Sequence, residues 1–435
     1  MTECSGKISF SRVLGKRVEA DFAGGELTSD AGGMLLRNAD RRVGLTRALA
    51  RVIADPRDQA RVVHSIEDML RQRIYAIALG YEDGNDHQHL RRDPLLSLLC
   101  ERDEPLSSPP TLSRFENFVN RASLWRMAGV LVDQFVAAHA TPPKKLVLDF
   151  DATDFEIHGG QEQRFFHGYY DSYCFLPLYV FCGDQLLFAY LRPSKIDAAK
   201  HAWAILGLLV KRLRQAWPQV SLVFRGDSSF ARWKMLRWCE RHDVGYIIGL
   251  ARNPRLQSLG AGCMQAAREK FAATGKKQRE IGAFQYAADT WDKPRRVIAR
   301  AEYGEQGENP RFIITNLPGP SDRLYEQDYC ARGEMENRIK EQLMLFADRV
   351  SDHRFAANQF RVLLAAAAYV LVEHIRRTAL AGTEWQEAQA DTIRLKLFKI
   401  GARLVRSARR IVLHLPASYP YQTLLRIAAA RLAVT

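Results

Sequence analysis

Three carboxylates in three separate settings are the residues of this chain whose types and spacing could do chemistry. The first setting is Lys144 to His158, KKLVLDFDATDFEIH, where an apolar, β-prone run through Leu146, Val147 and Leu148 turns acidic. The two-residue period of a strand puts Asp149 and Asp151 on one face. Neighbouring buried carboxylates repel each other, and a buried charge without a partner costs several kcal/mol. A divalent metal ion would compensate it. The alternative is that the strand ends here and Asp151-Ala152-Thr153-Asp154 is a solvated turn. The second setting is Arg225-Gly226-Asp227-Ser228, at the exit of the short apolar strand Val220 to Phe224. Asp227 either caps the following helix or meets Asp151, since neighbouring parallel strands bring their carboxyl ends together. The third is Glu336. Apolar residues at Met335, Ile339, Leu343, Phe346 and Val350 predict a helix over Arg332 to Val350. Arg332, Glu336 and Lys340 then line one face, either as a salt-bridge ladder or as a metal-binding Glu flanked by cations.

The elements that must position these groups follow from the hydrophobic pattern. Alternating runs near Ile8 to Phe10 and Arg17 to Phe22 predict strands, and apolar residues at helical spacing predict helices from about Gly32 to Ile77. Arg37, Arg41, Arg42, Arg47, Arg51, Arg57 and Arg61 decorate those helices, as a DNA-contacting face or a solvated one. Gly80 to Pro94 is turn-rich, and its His87 and His89 read as surface residues. From Lys144 strands alternate with helices: a meander over Arg164 to Leu191, a helix with an apolar stripe from Trp203 to Leu213, then Val220 to Phe224, a helix and Val244 to Leu250. That order predicts an α/β mixed sheet. Residues 253 to 320 read as a strand-rich insertion with Trp291 in a turn, either a packing plug or a platform for a nucleobase. Within Ile393 to Leu415, Arg394, Lys396 and Lys399 alternate with apolar residues, which predicts two strands hinged at Gly401. No acidic residue interrupts Arg394 to Arg410, so one face would be cationic and suited to a phosphate backbone.

Composition bounds the class. With 435 residues, 47% of them apolar and 26% charged, two or three globular domains are expected. Lys and Arg number 63 against 49 Asp and Glu, a formal charge of +14 that favours a polyanionic partner. No charged-then-apolar leader is expected at the N-terminus. The apolar run Val362 to Val372 reads as a buried helix, too short to cross a bilayer. Seven cysteines without a CxxC pair suggest neither a disulfide framework nor a thiolate zinc site, which fits a reducing cytoplasm.

The three motifs together resemble those of RNase H-like DDE transposases. Asp151-Ala152-Thr153 is similar to the first motif, Arg225-Gly226-Asp227-Ser228 to the second, and Tyr329, Arg332 and Glu336 reproduce the Tyr-x2-Arg-x3-Glu signature of the third. Gly80-Tyr81-Glu82-Asp83, Thr111 to Asn117 and Met335 to Lys340 resemble the thirteen-eighty family of bacterial insertion sequences, over about Leu27 to Leu415. The resemblance implies an RNase H-like core over 144–252 and 326–385, a β-rich insertion over 253–325, a mainly helical DNA-binding domain over 1–143 and a basic C-terminal region over 386–435. It also implies a transposase that binds terminal inverted repeats, cleaves the element ends and joins them to target DNA, as a homodimer in a synaptic complex near the bacterial nucleoid. Asp151, Asp227 and Glu336, with Asp149 as alternate, would hold two Mg2+ ions, or Mn2+, for phosphoryl transfer. Tyr329, Arg332 and Lys340 would contact DNA. Leu343 stands where the signature has a basic residue, and Lys340 is the expected substitute. Trp291 would stack on a flipped base. Two other functions compete: a silent repeat-binding repressor and a stand-alone RNase H-fold nuclease.

Overall fold

The computed structural model describes residues 7–433, which fold into two compact units: Val119–Ala366, and a second made of residues up to Phe118 together with those from Ala367 on. These units cut the chain elsewhere than the expected domains do.

The central unit is built on one eight-stranded sheet. Its first strand, β1 (Lys145–Ala152), is apolar enough to be buried on both faces and is followed by the hairpin β2 (Leu178–Cys182) and β3 (Gln185–Tyr190). Helix α1 (Ala202–Ala216) returns the chain to β4 (Ser221–Gly226), and α2 (Trp233–Arg241) leads to β5 (Val244–Leu250). Strand β4 pairs in parallel with both β1 and β5, while β2 runs antiparallel to β1, giving the order β3-β2-β1-β4-β5. The parallel pairs need crossovers, which α1 and α2 supply.

The expected insertion does not stand apart from this sheet. Residues 254–274 form two helices, α3 (Pro254–Leu259) and α4 (Ala261–Thr274), where strands were expected. Asn253 accepts a hydrogen bond from the Leu256 N–H and Pro254 occupies the first helical position, a start signal that sets the conformation locally. Strands β6 (Gln278–Tyr286), β7 (Arg295–Gly304) and β8 (Gly307–Thr315) then extend the same sheet, with β8 covering the free edge of β5. Leu324 and Tyr325 pack on that extension with Val223, Ile247, Ile298 and Ile313. They open a π-helical turn, Leu324–Tyr329, that passes through a 3-10 turn at Cys330–Arg332 into α5 (Gly333–Met344). The predicted helix over 332–350 therefore stops short. The following helix, α6 (Phe355–His374), continues as a π turn to Ala379. The combined stretch is long and apolar enough to cross a membrane, but 78% of its apolar window is buried inside the protein.

The other unit is mainly helical. Ser65 and Asp68 form a capping box at the start of Ile66–Leu79, and the expected N-terminal strands form a hairpin, Ile8–Val13 with Lys16–Ala20. His87 is fully buried rather than on the surface, its Nδ1 3.0 Å from Gln72 Nε2. Residues 393–415 also differ from expectation: Arg394–Phe398 is a π-helical turn, and only Ala402–Arg406 and Ile411–His414 are strands. Ile393 and Leu397, four apart, are both fully buried, and five alternating residues fit either period. The Leu397 backbone crosses Gly32 so closely that a Cβ there would lie 1.6 Å from the Leu397 carbonyl oxygen. Gly32→Ala should therefore cost about 1–3 kcal/mol by overpacking, read as a melting temperature lowered by roughly 2–10 °C in differential scanning calorimetry. An unchanged melt would show that the two segments separate freely.

Candidate active site

The parallel register of β1 and β4 puts Asp149 opposite Arg225. Two residues further along stand Asp151, still in β1, and Asp227, one residue past the end of β4, and the Asp227 charge acts on Asp151. The two pairs are treated differently. Asp149, 3% exposed, is gripped through both oxygens by the Arg225 guanidinium, with Nη2 2.7 Å from Oδ2, and Nη1 of the same arginine reaches the Asp328 carbonyl. Burial pushes the Asp149 carboxyl up while Arg225 pulls it down. Its acceptor sites are committed, which separates it from Asp151.

Asp151 meets a single arginine. Arg332 Nη2 lies 2.7 Å from Asp151 Oδ2, and its Nη1 lies 3.6 Å from Glu336 Oε1, so one guanidinium bridges the first and third motifs. Burial drives the Asp151 carboxyl up to about 6; Arg332 opposes this, while Asp227 and Glu336 add to it. For Arg332, burial disfavours the charge, but Asp151, Asp227, Tyr329 and Glu336 outweigh that and raise its pKa. Its Nε is buried without a hydrogen-bond partner. Glu336 is largely exposed on the first turn of α5.

Asp227 does cap the next turn, accepting from the Ser229 N–H at 2.9 Å and the Ser229 hydroxyl at 2.5 Å. Its Oδ2 is not part of that cap. The turn is seated by Gly249 of β5, where a Cβ would lie 2.6 Å from the Tyr329 hydroxyl and 2.9 Å from the Ser228 nitrogen. Tyr329 of the third motif thus packs over the backbone of the second. Burial and the Asp227 charge raise the Tyr329 pKa, against Arg332. Neither Arg225 nor Gly249 was singled out from sequence. The signal for Arg225 is its place two residues before Asp227, matching Asp149 before Asp151.

The remaining expected residues lie elsewhere. Lys340 is exposed on α5, one turn beyond Glu336, and Leu343 is at the surface. Trp291 is half-buried, edge-on to Tyr286 at 5.3 Å with the Arg295 guanidinium 5.7 Å from its ring. In the helical unit, Arg394 Nε donates to the Ala78 carbonyl at 3.0 Å, Lys399 pairs with Asp30 at 2.8 Å, and the Lys396 ammonium lies 4.9 Å from the Trp385 ring. All three are engaged inside their own unit; Arg403, Arg406, Arg409 and Arg410 are exposed on the hairpin that follows, Arg406 being paired with Glu26 and Asp103.

Asp151, Asp227 and Glu336 offer oxygen ligands of the kind that Mg2+ and Mn2+ take. Burial first, with Asp227 and Glu336 adding to it, raises the Asp151 pKa, and a further cation would lower it. Among the described residues, however, no three His, Cys, Asp or Glu side chains are gathered closely enough to hold a metal ion. Arg332 lies between Asp151 and Glu336 instead.

An acid whose folded pKa exceeds its unfolded value is destabilising once pH passes the folded value. For Asp151 the loss sets in from about pH 4 to 6 and amounts to roughly 3 kcal/mol above that range. Asp151→Asn should therefore melt several degrees higher than the wild type at pH 8 and match it near pH 4. A lower melt at pH 8 would show that the pairing with Arg332 outweighs burial.

No curated protein matches the sequence. Among solved structures, the chain is similar to a piggyBac transposase in a synaptic complex with hairpin DNA, at 8% identity over 94% of this chain and 82% of that one, with a TM-score of 0.44. A family model described as Transposase DDE domain group 1 matches residues 10–435. The chain belongs to that family of transposase DDE domains.

Proposed function

We propose that this protein is the transposase of a bacterial insertion sequence, of the thirteen-eighty type, which binds terminal inverted repeats, cleaves double-stranded DNA at the element ends and transfers the freed 3′ ends to target DNA. The carrying observation is that Asp151 near the end of β1 and Asp227 just past the end of the parallel β4 stand close enough for the Asp227 charge to act on Asp151, while Arg332 ties Asp151 to Glu336. The strand order β3-β2-β1-β4-β5, with two antiparallel strands followed by two parallel ones, supports an RNase H-like core.

In this reading Asp151, Asp227 and Glu336 hold two Mg2+ ions, which when bound activate the attacking oxygen and stabilise the leaving one. Arg332 exchanges its carboxylate partners for a DNA phosphate, for which its planar fork is suited. Lys340, exposed one turn along from Glu336, meets a second phosphate. Tyr329 keeps the second and third motifs in register through its packing at Gly249. Asp149 stays with Arg225 and does not bind metal. Two ends must be cut and joined together, so the working form is a homodimer, acting at the nucleoid. Arg332 between two of the carboxylates is also the observation that favours the competing reading, a silent repressor that binds repeats without cutting.

With a labelled duplex carrying the element's own end and Mg2+, the wild type should leave a nick with a 3′-hydroxyl. Glu336→Gln should bind equally but cut on the order of a hundredfold more slowly. Equal inactivity of both with intact binding would establish the repressor. Independently of cutting, saturating Mg2+ should raise the melting temperature of the wild type, since a ligand at a hundred times its dissociation constant adds about 2.7 kcal/mol. The same addition should leave Asp151→Asn nearly unmoved.

A further inference from the structure

A cavity of about 580 Å3 opens between the starts of α1 and α2. It begins three residues past Asp227, with Phe230 in its wall. Three tryptophans line it. Trp203 is 57% exposed on the first turn of α1, an unusual place to leave so large an apolar ring. Trp233 opens α2, with the Lys234 ammonium 5.7 Å from its ring, and Trp238 stacks at 4.1 Å on His242. Lys200, Arg232 and Lys234 complete the lining, against one carboxylate, Asp197, already paired with Arg232 at 2.6 Å.

The two helix starts add donors. Neither α1 nor α2 has a side-chain cap; the Ala202 and Met235 N–H groups donate to the Ala199 and Arg232 carbonyls, and the other first-turn N–H groups stand at the positive end of each helix dipole. His201, at the head of α1, holds the left-handed backbone at φ 69°, a conformation few non-glycine residues adopt, and its buried Nδ1 has no hydrogen-bond partner. Burial, with Arg192 and Lys200 nearby, lowers its pKa, so the ring is neutral near pH 7 and can hydrogen-bond a base edge.

Stacking faces for a base and cations with helix N-termini for its phosphate are together the chemistry that recognises a nucleotide. A volume of this size also holds one. We propose that this cavity binds one unstacked nucleotide of the DNA strand on which the protein acts. The inference rests on the transposase reading above. It assigns base stacking to the exposed Trp203 and to Trp233, whose ring lies 5.7 Å from the Lys234 ammonium and 6.0 Å from the Arg237 guanidinium, and Trp291 is edge-on to Tyr286.

The test measures binding of full-length protein to a fluorescent single strand and to a duplex of the same sequence, by anisotropy. Trp203→Ala should weaken single-strand binding roughly five- to a hundredfold, the range for loss of one base stack, with duplex binding changed less than twofold. Trp203→Phe should restore most of it, and Lys234→Ala should weaken it most at low salt and flatten its dependence on salt. Because Trp203 is exposed, the variants should melt with the wild type, which separates lost stacking from lost fold. Unchanged single-strand binding by Trp203→Ala, with the wild type binding duplex, would overturn the pocket and leave the transposase reading intact. Failure of the wild type to bind any DNA would overturn both. Displacement of the strand by micromolar deoxyadenosine monophosphate would instead assign the cavity to free nucleotides and also overturn the proposal.

Discussion

The structure depends on how negative charge is neutralised at the carboxyl ends of β1 and β4. Burying carboxylates is tolerable only where cations and hydrogen bonds take their lone pairs. Arg225 does this for Asp149 with two nitrogens on two oxygens, although burial still holds that carboxyl above its ordinary value, and it spends its remaining nitrogen on a backbone carbonyl. Asp151 shares Arg332 with Glu336, keeps a carboxyl pushed up to about 6, and leaves Arg332 Nε without a partner. Two aspartates two residues apart therefore have different work. The two-point pair ties β1 to β4, and Asp151 is where the proposed function puts a metal ion. Perturbed carboxyls of this kind concentrate at functional sites.

That distinction was only half legible in the sequence. The face shared by Asp149 and Asp151 follows from strand period, and the helix carrying Glu336 from apolar residues at helical spacing. The choice between the aspartates does not, because it turns on β1 and β4 pairing with Asp149 opposite Arg225, a register that neither strand states alone. Strands β1 to β5 were readable because their apolar runs are bounded by turns. Residues 254–274 were missed because Asn253 and Pro254, a helix start, were read within a region dominated by strand alternation. Arg394 to Phe398 was missed for a different reason: alternation over five residues is degenerate, and burial of Ile393 and Leu397 against the Gly32 turn decides in favour of the helical turn. Its cations consequently serve the fold, through Ala78, Asp30 and the Trp385 ring, rather than forming an open basic face.

The third motif shows how far the site is a property of the sheet. Tyr329 and Arg332 do not lie on a regular α-helix; they occupy the π and 3-10 turns that precede α5. Such turns shift the angular phase of the residues they carry and recur at functional sites. Here the phase is fixed at both ends. Leu324 and Tyr325 pack into the sheet beside Val223 and Ile247, and the Tyr329 hydroxyl rests over Gly249, whose missing side chain also admits the Ser228 backbone. The helix that carries Glu336 is therefore aimed by the same strands that carry Asp151 and precede Asp227. A slip of one residue between β1 and β4 would turn Asp149 and Asp151 to the opposite face and part both from their arginines. The Arg225 pair opposes that slip with a buried, two-point ion pair, so the residue that takes no part in the proposed chemistry is the one that keeps the others in place.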